Sequence, residues 1–221
     1  LSELLFRKKG ERTPVEKIAV IYSNSGFIGL PLINGIIGSE GIFYMTAYLT
    51  VFNLLLWTHG VLVMGSAGSF KEMCKNLLTP TIIAIFAGVV CFVTQLRLPD
   101  VFANPIQMIG NMNTPLSMFI TGMIIAGSDV KGLVYNKNIW YIILVRQLVI
   151  PAVCFGVFSL FHVTGMAAQV VLLLEACPSA AITSVFAVQF GYDENLAAGA
   201  VVITTFFSIL TLPVCAMLLT A

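Results

Sequence analysis

Residues 15–38 read VEKIAVIYSNSGFIGLPLINGIIG. The run is apolar enough to cross a membrane. Yet its middle, Ser23-Asn24-Ser25-Gly26-Phe27-Ile28-Gly29-Leu30-Pro31, holds an amide, two glycines and a proline. In lipid, every backbone N–H and C=O must be hydrogen-bonded unless it faces protein or a watery cavity. Pro31 removes one donor and disturbs the helix around it. Gly26 and Gly29 let the backbone deviate or a neighbour come close. The stretch therefore predicts a broken helix whose polar middle faces protein or water. The competing reading is an ordinary kink, since proline and glycine are common in membrane helices.

The rest of the chain has the same character. Of 221 residues, 58% are hydrophobic and only 10% are charged, against about 25% charged in a soluble domain. Too few charges remain to solvate a globular surface, so the fold class is all-α integral membrane, with the lipid bilayer as its medium. A net charge of +1 gives no sign of nucleic acid. Cys74, Cys91, Cys154, Cys177 and Cys215 form no CxxC pair and read as small apolar residues, not a disulfide or zinc framework. No cofactor or metal is expected. The polar N-terminus is no cleavable signal, and the chain, which opens on Leu1, reads as a fragment or a processed product.

Seven spans are predicted, at 18–38, 42–66, 80–98, 105–127, 139–161, 167–190 and 196–220, each close to the roughly 20 residues a crossing needs. Polar linkers fall at 1–17, 67–79 and 128–138. Alternating sides from the N-terminus groups Arg7, Lys8, Lys9, Arg12, Lys17, Lys71, Lys75, Lys131 and Lys137 on one side and leaves only Arg97 on the other. The positive-inside rule then puts residues 1–17 in the cytoplasm and the C-terminus outside.

The sixth span resembles the first. Aligning Gly38-Ser39-Glu40 with Gly191-Tyr192-Asp193 sets SNSGFIGLP against ACPSAAITS at 176–184. Each stretch is small, polar and interrupted by proline, at Pro31 and Pro178. Each precedes an acidic turn and one long span. The two run in opposite directions across the membrane, the mark of an inverted repeat. Two broken helices meeting at mid-membrane expose half-helix N-termini suited to a carboxylate. Asn24, Ser25, Gly26, Cys177, Ser179 and Thr183 are the candidate substrate contacts, with Gly29, Pro31 and Pro178 as the helix-breaking positions.

SNSGFIGLPL at 23–32, NTPLSMFITGMIIA at 113–126 and ACPSAAITSVFAVQFGYDENLAAGAVVITTFFSILTLPV at 176–214 resemble the auxin efflux carrier family of membrane transporters, here a bacterial-type member. The resemblance implies ten helices in two inverted five-helix repeats, with the fourth and ninth broken and crossing. The seven spans would be helices 4–10. Residues 1–17 would be a cytoplasmic segment, 18–66 the end of the first repeat, 67–79 a cytoplasmic loop, and 80–221 the second repeat. The family's first three helices have no counterpart after Leu1, so either the native protein is longer or the chain is truncated. The family further implies a scaffold domain, a moving transport domain and elevator-like alternating access. Its bacterial members are associated with small organic acids such as malate or malonate, its plant members with auxin. The expected substrate is a small organic anion, the expected location the plasma (inner) membrane, and a homodimer is the candidate assembly.

Charges inside spans default to functional hypotheses. Glu175, just before Pro178, is the candidate for coupling to a proton or sodium; its alternative is a structural carboxyl. Arg146 either pairs with Glu175, attracts the anion, or snorkels to the interface. His59 reads more readily as hydrogen-bonded structure than as a relay. Asn113 and Thr114, beside Asn111 and Pro115, either face the substrate from the scaffold side or join helices.

Rival classes lack their signatures. Residues 196–220 hold no lysine for a retinal Schiff base, no HExxH or P-loop occurs, and His59 and His162 are the only histidines. The chain is therefore read as a carrier and not an enzyme, with a channel or a seven-helix receptor as the alternatives.

Overall fold

The computed structural model describes residues 13–65, 80–127, 132 and 135–220. These are helical, with one isolated antiparallel bridge. The first span is split. Helix α1 covers Thr13–Ile21, residues 22–24 are non-helical, and α2 covers Ser25–Ile36. Then come α3 (Ser39–Val63), α4 (Pro80–Thr94), α5 (Asp100–Asn111), α6 (Asn113–Gly127) and α7 (Lys137–Leu160). The sixth predicted span is split too, into α8 (Met166–Ala176) and α9 (Ile182–Phe190), and α10 covers Glu194–Thr220. By length and composition, α3, α7 and Glu194–Met217 of α10 suffice to cross a membrane.

Several boundaries differ from expectation. The first linker was expected to reach residue 17, but α1 begins at Thr13. The fourth span starts earlier, at Asp100, and is interrupted at Met112. Gly29 and Pro31, expected to break the first span, are helical. The break lies at Tyr22–Asn24 instead, and Pro178 lies inside the second break. The linker at 67–79 and residues 1–12 lie outside the described residues.

A physical reason for the helical Pro31 is at hand. Proline has no N–H, and its ring clashes with the carbonyl four residues back. Ser25–Gly29 forms a π-helical turn immediately upstream. The wider turn displaces that carbonyl, so the chain stays helical through the proline. The same device recurs in α7, where the π turn Leu144–Val149 precedes Pro151. A third π turn, Leu56–Gly60, lies in α3.

Helix ends follow local chemistry. Asp193 Oδ1 accepts from the Leu196 N–H at 2.9 Å at the start of α10, and Asn136 accepts from Asn138 at the start of α7. Gly38 (φ 88°) and Gly191 (φ 71°) turn the chain after α2 and α9, in a conformation that favours glycine. They are the two glycines aligned in the sequence. The order half-helix, break, half-helix, glycine turn, long helix thus occurs twice.

Helix α1 has no exposed side chain among those described. Its Val15, Ile18 and the following Tyr22 pack with Ile139 of α7, Phe186 of α9 and Leu196 of α10. The described side chains of 80–127 are exposed or half-buried although largely apolar, with Val93, Val101 and Phe119 each over 70% exposed. Such a surface is solvated by lipid or by further protein, not by water.

Candidate functional site at a crossing of two broken helices

The two breaks touch. The Asn24 N–H donates to Pro178 O at 2.7 Å, and the Ala180 N–H donates to Tyr22 O at 2.9 Å. These bonds flank the antiparallel pair Ser23 and Ser179. That makes it a non-hydrogen-bonded pair, the kind with Cα atoms about 4.5 Å apart and side chains on one face. Two chains that have left their helices thus satisfy part of each other's backbone.

On one flank, α1 and α8 end, with carbonyls that have no helical partner. One side chain meets them. Arg146 is fully buried. Its Nη1 donates to Val20 O at 2.9 Å and Ile21 O at 3.4 Å, its Nε to Cys177 O at 3.1 Å, and its Nη2 to Glu175 O at 2.6 Å. The guanidinium thereby sits at the negative ends of two helix dipoles. Nη2 also reaches Glu175 Oε2 at 3.3 Å. Arg146 pairs with Glu175 and does not snorkel. The π turn of α7 directs the adjacent Gln147 inward as well. Its Nε2 donates to Thr204 O at 2.7 Å, while Thr204 Oγ1 accepts from the Ser179 N–H at 3.0 Å.

Glu175 is 23% exposed. Its Oε1 accepts from Tyr48 at 2.8 Å, and the Tyr48 oxygen lies 3.3 Å from Ser23 Oγ. The carboxylate borders a cleft of about 590 Å³ lined also by Val20, Tyr22, His59, Cys154 and Phe158. The Tyr22 hydroxyl lies 2.8 Å from Leu55 O and 3.0 Å from His59 Nδ1, tying the cleft wall to α3.

The other flank, where α2 and α9 begin, is different. In α9 the Thr183 and Ser184 N–H groups donate to Ala180 O and Ala181 O at 3.0 and 3.1 Å, and in α2 the Ile28 N–H donates to Asn24 O at 3.0 Å. Around them Asn24 Nδ2, Ser179 Oγ, Thr183 Oγ1 and Ser184 Oγ are buried without a hydrogen-bond partner among the described residues. Leaving such a group unpaired costs about 1–3 kcal/mol, so a water or a ligand is expected to complete each.

Asn24, Ser25, Ser179 and Thr183 are all buried, and the bonds between residues 22–24 and 178–180 join the two stretches that carry them. Ser25 Oγ donates to Ser23 O. A side chain at Gly26 would meet open space, whereas one at Gly29 would strike Leu174 Cδ2 at 2.5 Å. Cys177 turns its thiol toward Leu173 O and an apolar cluster with Ala176 and Leu212, joining the crossing only through its backbone. Asn113 is exposed, outside the buried group, although α6 packs on Ser25–Gly29; the side chain of Thr114 is not among those described. Sequence reading missed Ser23, Tyr48, Ser184 and Thr204. Ser23 and Ser184 were adjacent to named residues, and Tyr48 is a hydroxyl in an otherwise apolar helix. Nothing in the sequence alone singles out Thr204.

A family model described as "Membrane transport protein" matches residues 67–216. An uncharacterized transporter of Methanocaldococcus jannaschii is 26% identical over 221 residues, covering 96% of this chain and 70% of that protein. An uncharacterized transporter of Methanothermobacter thermautotrophicus is 26% identical over 206 residues, covering 91% of this chain and 67% of that protein. With membrane-length apolar helices and a match over more than half its length, the chain is an integral membrane protein that belongs to the membrane transport protein family, the auxin efflux carriers.

Proposed function

We propose that the chain is a secondary transporter that binds a small organic anion where its two broken helices cross, and carries it by alternating access. The observation that carries this reading is the asymmetric crossing. Its α1/α8 flank is closed by Arg146, while its α2/α9 flank holds four buried side-chain polar atoms without partners among the described residues. Amide and hydroxyl hydrogens beside two helix N-termini suit an acceptor-rich ligand such as a carboxylate. The open space at Gly26 leaves room for it.

In this reading the seven predicted spans form the end of one repeat and the whole of an inverted second one. Segment 80–127, whose described side chains are nowhere fully buried, is the scaffold. The crossing, with α3, α7 and α10, is the part that moves. The basic linkers place residues 1–17 in the cytoplasm of a plasma-membrane protein. Glu175 is the coupling site, with a proton favoured over sodium because Arg146 already faces the carboxylate.

The test is uptake of radiolabelled malate and malonate into proteoliposomes. Saturable uptake, accelerated by unlabelled substrate on the opposite side, is expected. Flux that rises linearly with concentration and shows no such acceleration would make the protein a channel.

A further inference from the structure

Glu175, Tyr48 and Ser23 form a hydrogen-bonded line from the cleft to the crossing. The Tyr48 oxygen is 2.8 Å from Glu175 Oε1 and 3.3 Å from Ser23 Oγ. Glu175 is partly open to the cleft, whereas Ser23 is buried and paired across the bridge with Ser179. The Ser179 hydroxyl is one of the unpartnered groups. The line therefore joins the reachable carboxylate to the edge of the unpartnered group.

We propose that this line is a switch, in which protonation of Glu175 turns Ser23 from an acceptor into a donor toward the bound anion, making Tyr48 and Ser23 the coupling residues of the carrier. The argument rests on the reading of the crossing as an anion site. An ionised carboxylate only accepts, so Tyr48 must donate to it. The Tyr48 oxygen then accepts from Ser23, whose one hydrogen is committed and whose lone pairs are left for the crossing. They oppose a carboxylate there. When a proton from cleft water adds to Glu175 Oε1, the new O–H donates to the Tyr48 oxygen. Tyr48 turns its hydrogen to Ser23 Oγ, and Ser23 turns its own toward the crossing. Each hydroxyl keeps its proton and only rotates. The only net change is one proton gained at Glu175. Proton and anion then bind better together than either does alone, as reciprocal linkage requires of a symporter.

The surroundings of Glu175 permit the change. The π turn of α7 presents Arg146, α3 presents Tyr48, and the following turn of α7 presents Cys154. Tyr22 and His59 complete the cleft wall. Helix α10 brings Cys215 to the neighbouring apolar cluster, and the first turn of α2, Ser25–Gly29, brings no titratable group. Arg146 is the one cation among these. Its charge also faces the carbonyl ends of two helices, equivalent to about half a negative charge each, so it keeps partners when Glu175 is neutral.

The experiment measures apparent affinity for radiolabelled malate or malonate in proteoliposomes at acidic and neutral pH. In the wild type, affinity is expected to rise about tenfold on acidification, the scale of one hydrogen bond to a charged group. Tyr48→Phe keeps the ring and its stacking on Phe52 but breaks the line, and should reduce the ratio to about twofold or less; Ser23→Ala should do the same. Glu175→Gln, whose amide donates as the protonated acid does, should bind tightly at both pH values. Asn24→Ala should weaken binding at both while preserving the ratio; if it leaves affinity unchanged, the anion site itself is misplaced. A full tenfold ratio in Tyr48→Phe overturns the switch and leaves the site standing. Infrared difference spectra provide a readout independent of transport. Protonating Glu175 should give a carboxyl band that moves in Tyr48→Phe, and an unmoved band overturns the line.

Discussion

The two flanks of the crossing are built from like parts and finished in opposite ways. Where α1 and α8 end, Arg146 donates to the backbone carbonyls of Val20, Ile21, Glu175 and Cys177. Where α2 and α9 begin, Asn24, Ser179, Thr183 and Ser184 keep side-chain polar atoms with no hydrogen-bond partner among the described residues. Broken backbone in a membrane must be satisfied. The first flank does this with the protein's own residues, so it serves the fold. The second bonds its backbone within the protein as well, Ser179 N–H to Thr204 Oγ1 and Thr183 N–H to Ala180 O, and leaves side-chain atoms that water or, in the proposed reading, the ligand completes. Substitutions on the first flank should therefore cost stability, and those on the second should change binding.

The largest effect belongs to Arg146. Arg146→Leu leaves four backbone carbonyls and Glu175 without their cation, and should destabilise the protein by about 3–5 kcal/mol, the range for breaking a buried charged pair. Thermal unfolding in detergent, followed by size-exclusion chromatography, reads the loss. Arg146→Lys should recover only part of it, because a single ammonium cannot present the planar fork that reaches both helix ends. If Arg146→Leu is as stable as the wild type, Arg146 is not the clasp of the crossing and the contrast between the flanks collapses.

Next come the two glycines. Gly29→Ala places a methyl against Leu174 and should cost about 1–3 kcal/mol through overpacking. Gly26→Ala meets nothing. It should unfold no more readily than the wild type, yet it narrows the space beside Asn24 and should weaken substrate binding. Equal melting losses in the two variants would contradict the distinction between a packed and an open glycine.

This pair also marks how far the sequence could be read. SNSGFIGLP revealed an interrupted helix, because polar and helix-breaking residues are costly in lipid. The second interruption followed from ACPSAAITS and its proline. Position was harder. Proline and glycine suggested a break at Gly29–Pro31, but the π turn at Ser25–Gly29 absorbs Pro31 and the break falls at Tyr22–Asn24. A π turn depends on tertiary packing and leaves no local signature. For the same reason Arg146 was visible as a charge in a span but not as the cap of two helices 125 or more and 29 residues away. Tyr48, 127 residues from Glu175, was invisible as its partner. Side chains that join elements distant in sequence become legible only once the crossing is in place.

Asn24→Ala tests the second flank at its centre. It removes an amide nitrogen that has no partner among the described residues, so stability should hold or rise slightly. Substrate affinity should fall by about 0.5–1.5 kcal/mol for a neutral hydrogen bond, and by more if the amide donates to a carboxylate. Equilibrium binding of labelled malate or malonate to purified protein separates this from folding. A folded variant with unchanged affinity would move the ligand away from Asn24.

The smallest effect expected is that of Ser184→Ala, and its direction is informative. Ser184 Oγ is buried and unpartnered, yet the residue as a whole is half-buried, unlike Ser179 and Thr183. It lies one residue beyond Thr183, on the first turn of α9. If the hydroxyl merely occupies an apolar seam, removing it relieves a desolvated group, and alanine is also the better helix former by a few tenths of a kcal/mol. Stability should then rise by roughly 0.5–1 kcal/mol with binding untouched. If Ser184 belongs to the ligand group, the same substitution should still raise the melting temperature of the empty protein, but the stabilisation conferred by added malate or malonate should shrink, because ligand binding stabilises only in proportion to affinity. Melting the variant with and without ligand decides the matter. A loss of stability in the empty protein would show that Ser184 has a structural partner, and would reduce the open flank to Asn24, Ser179 and Thr183.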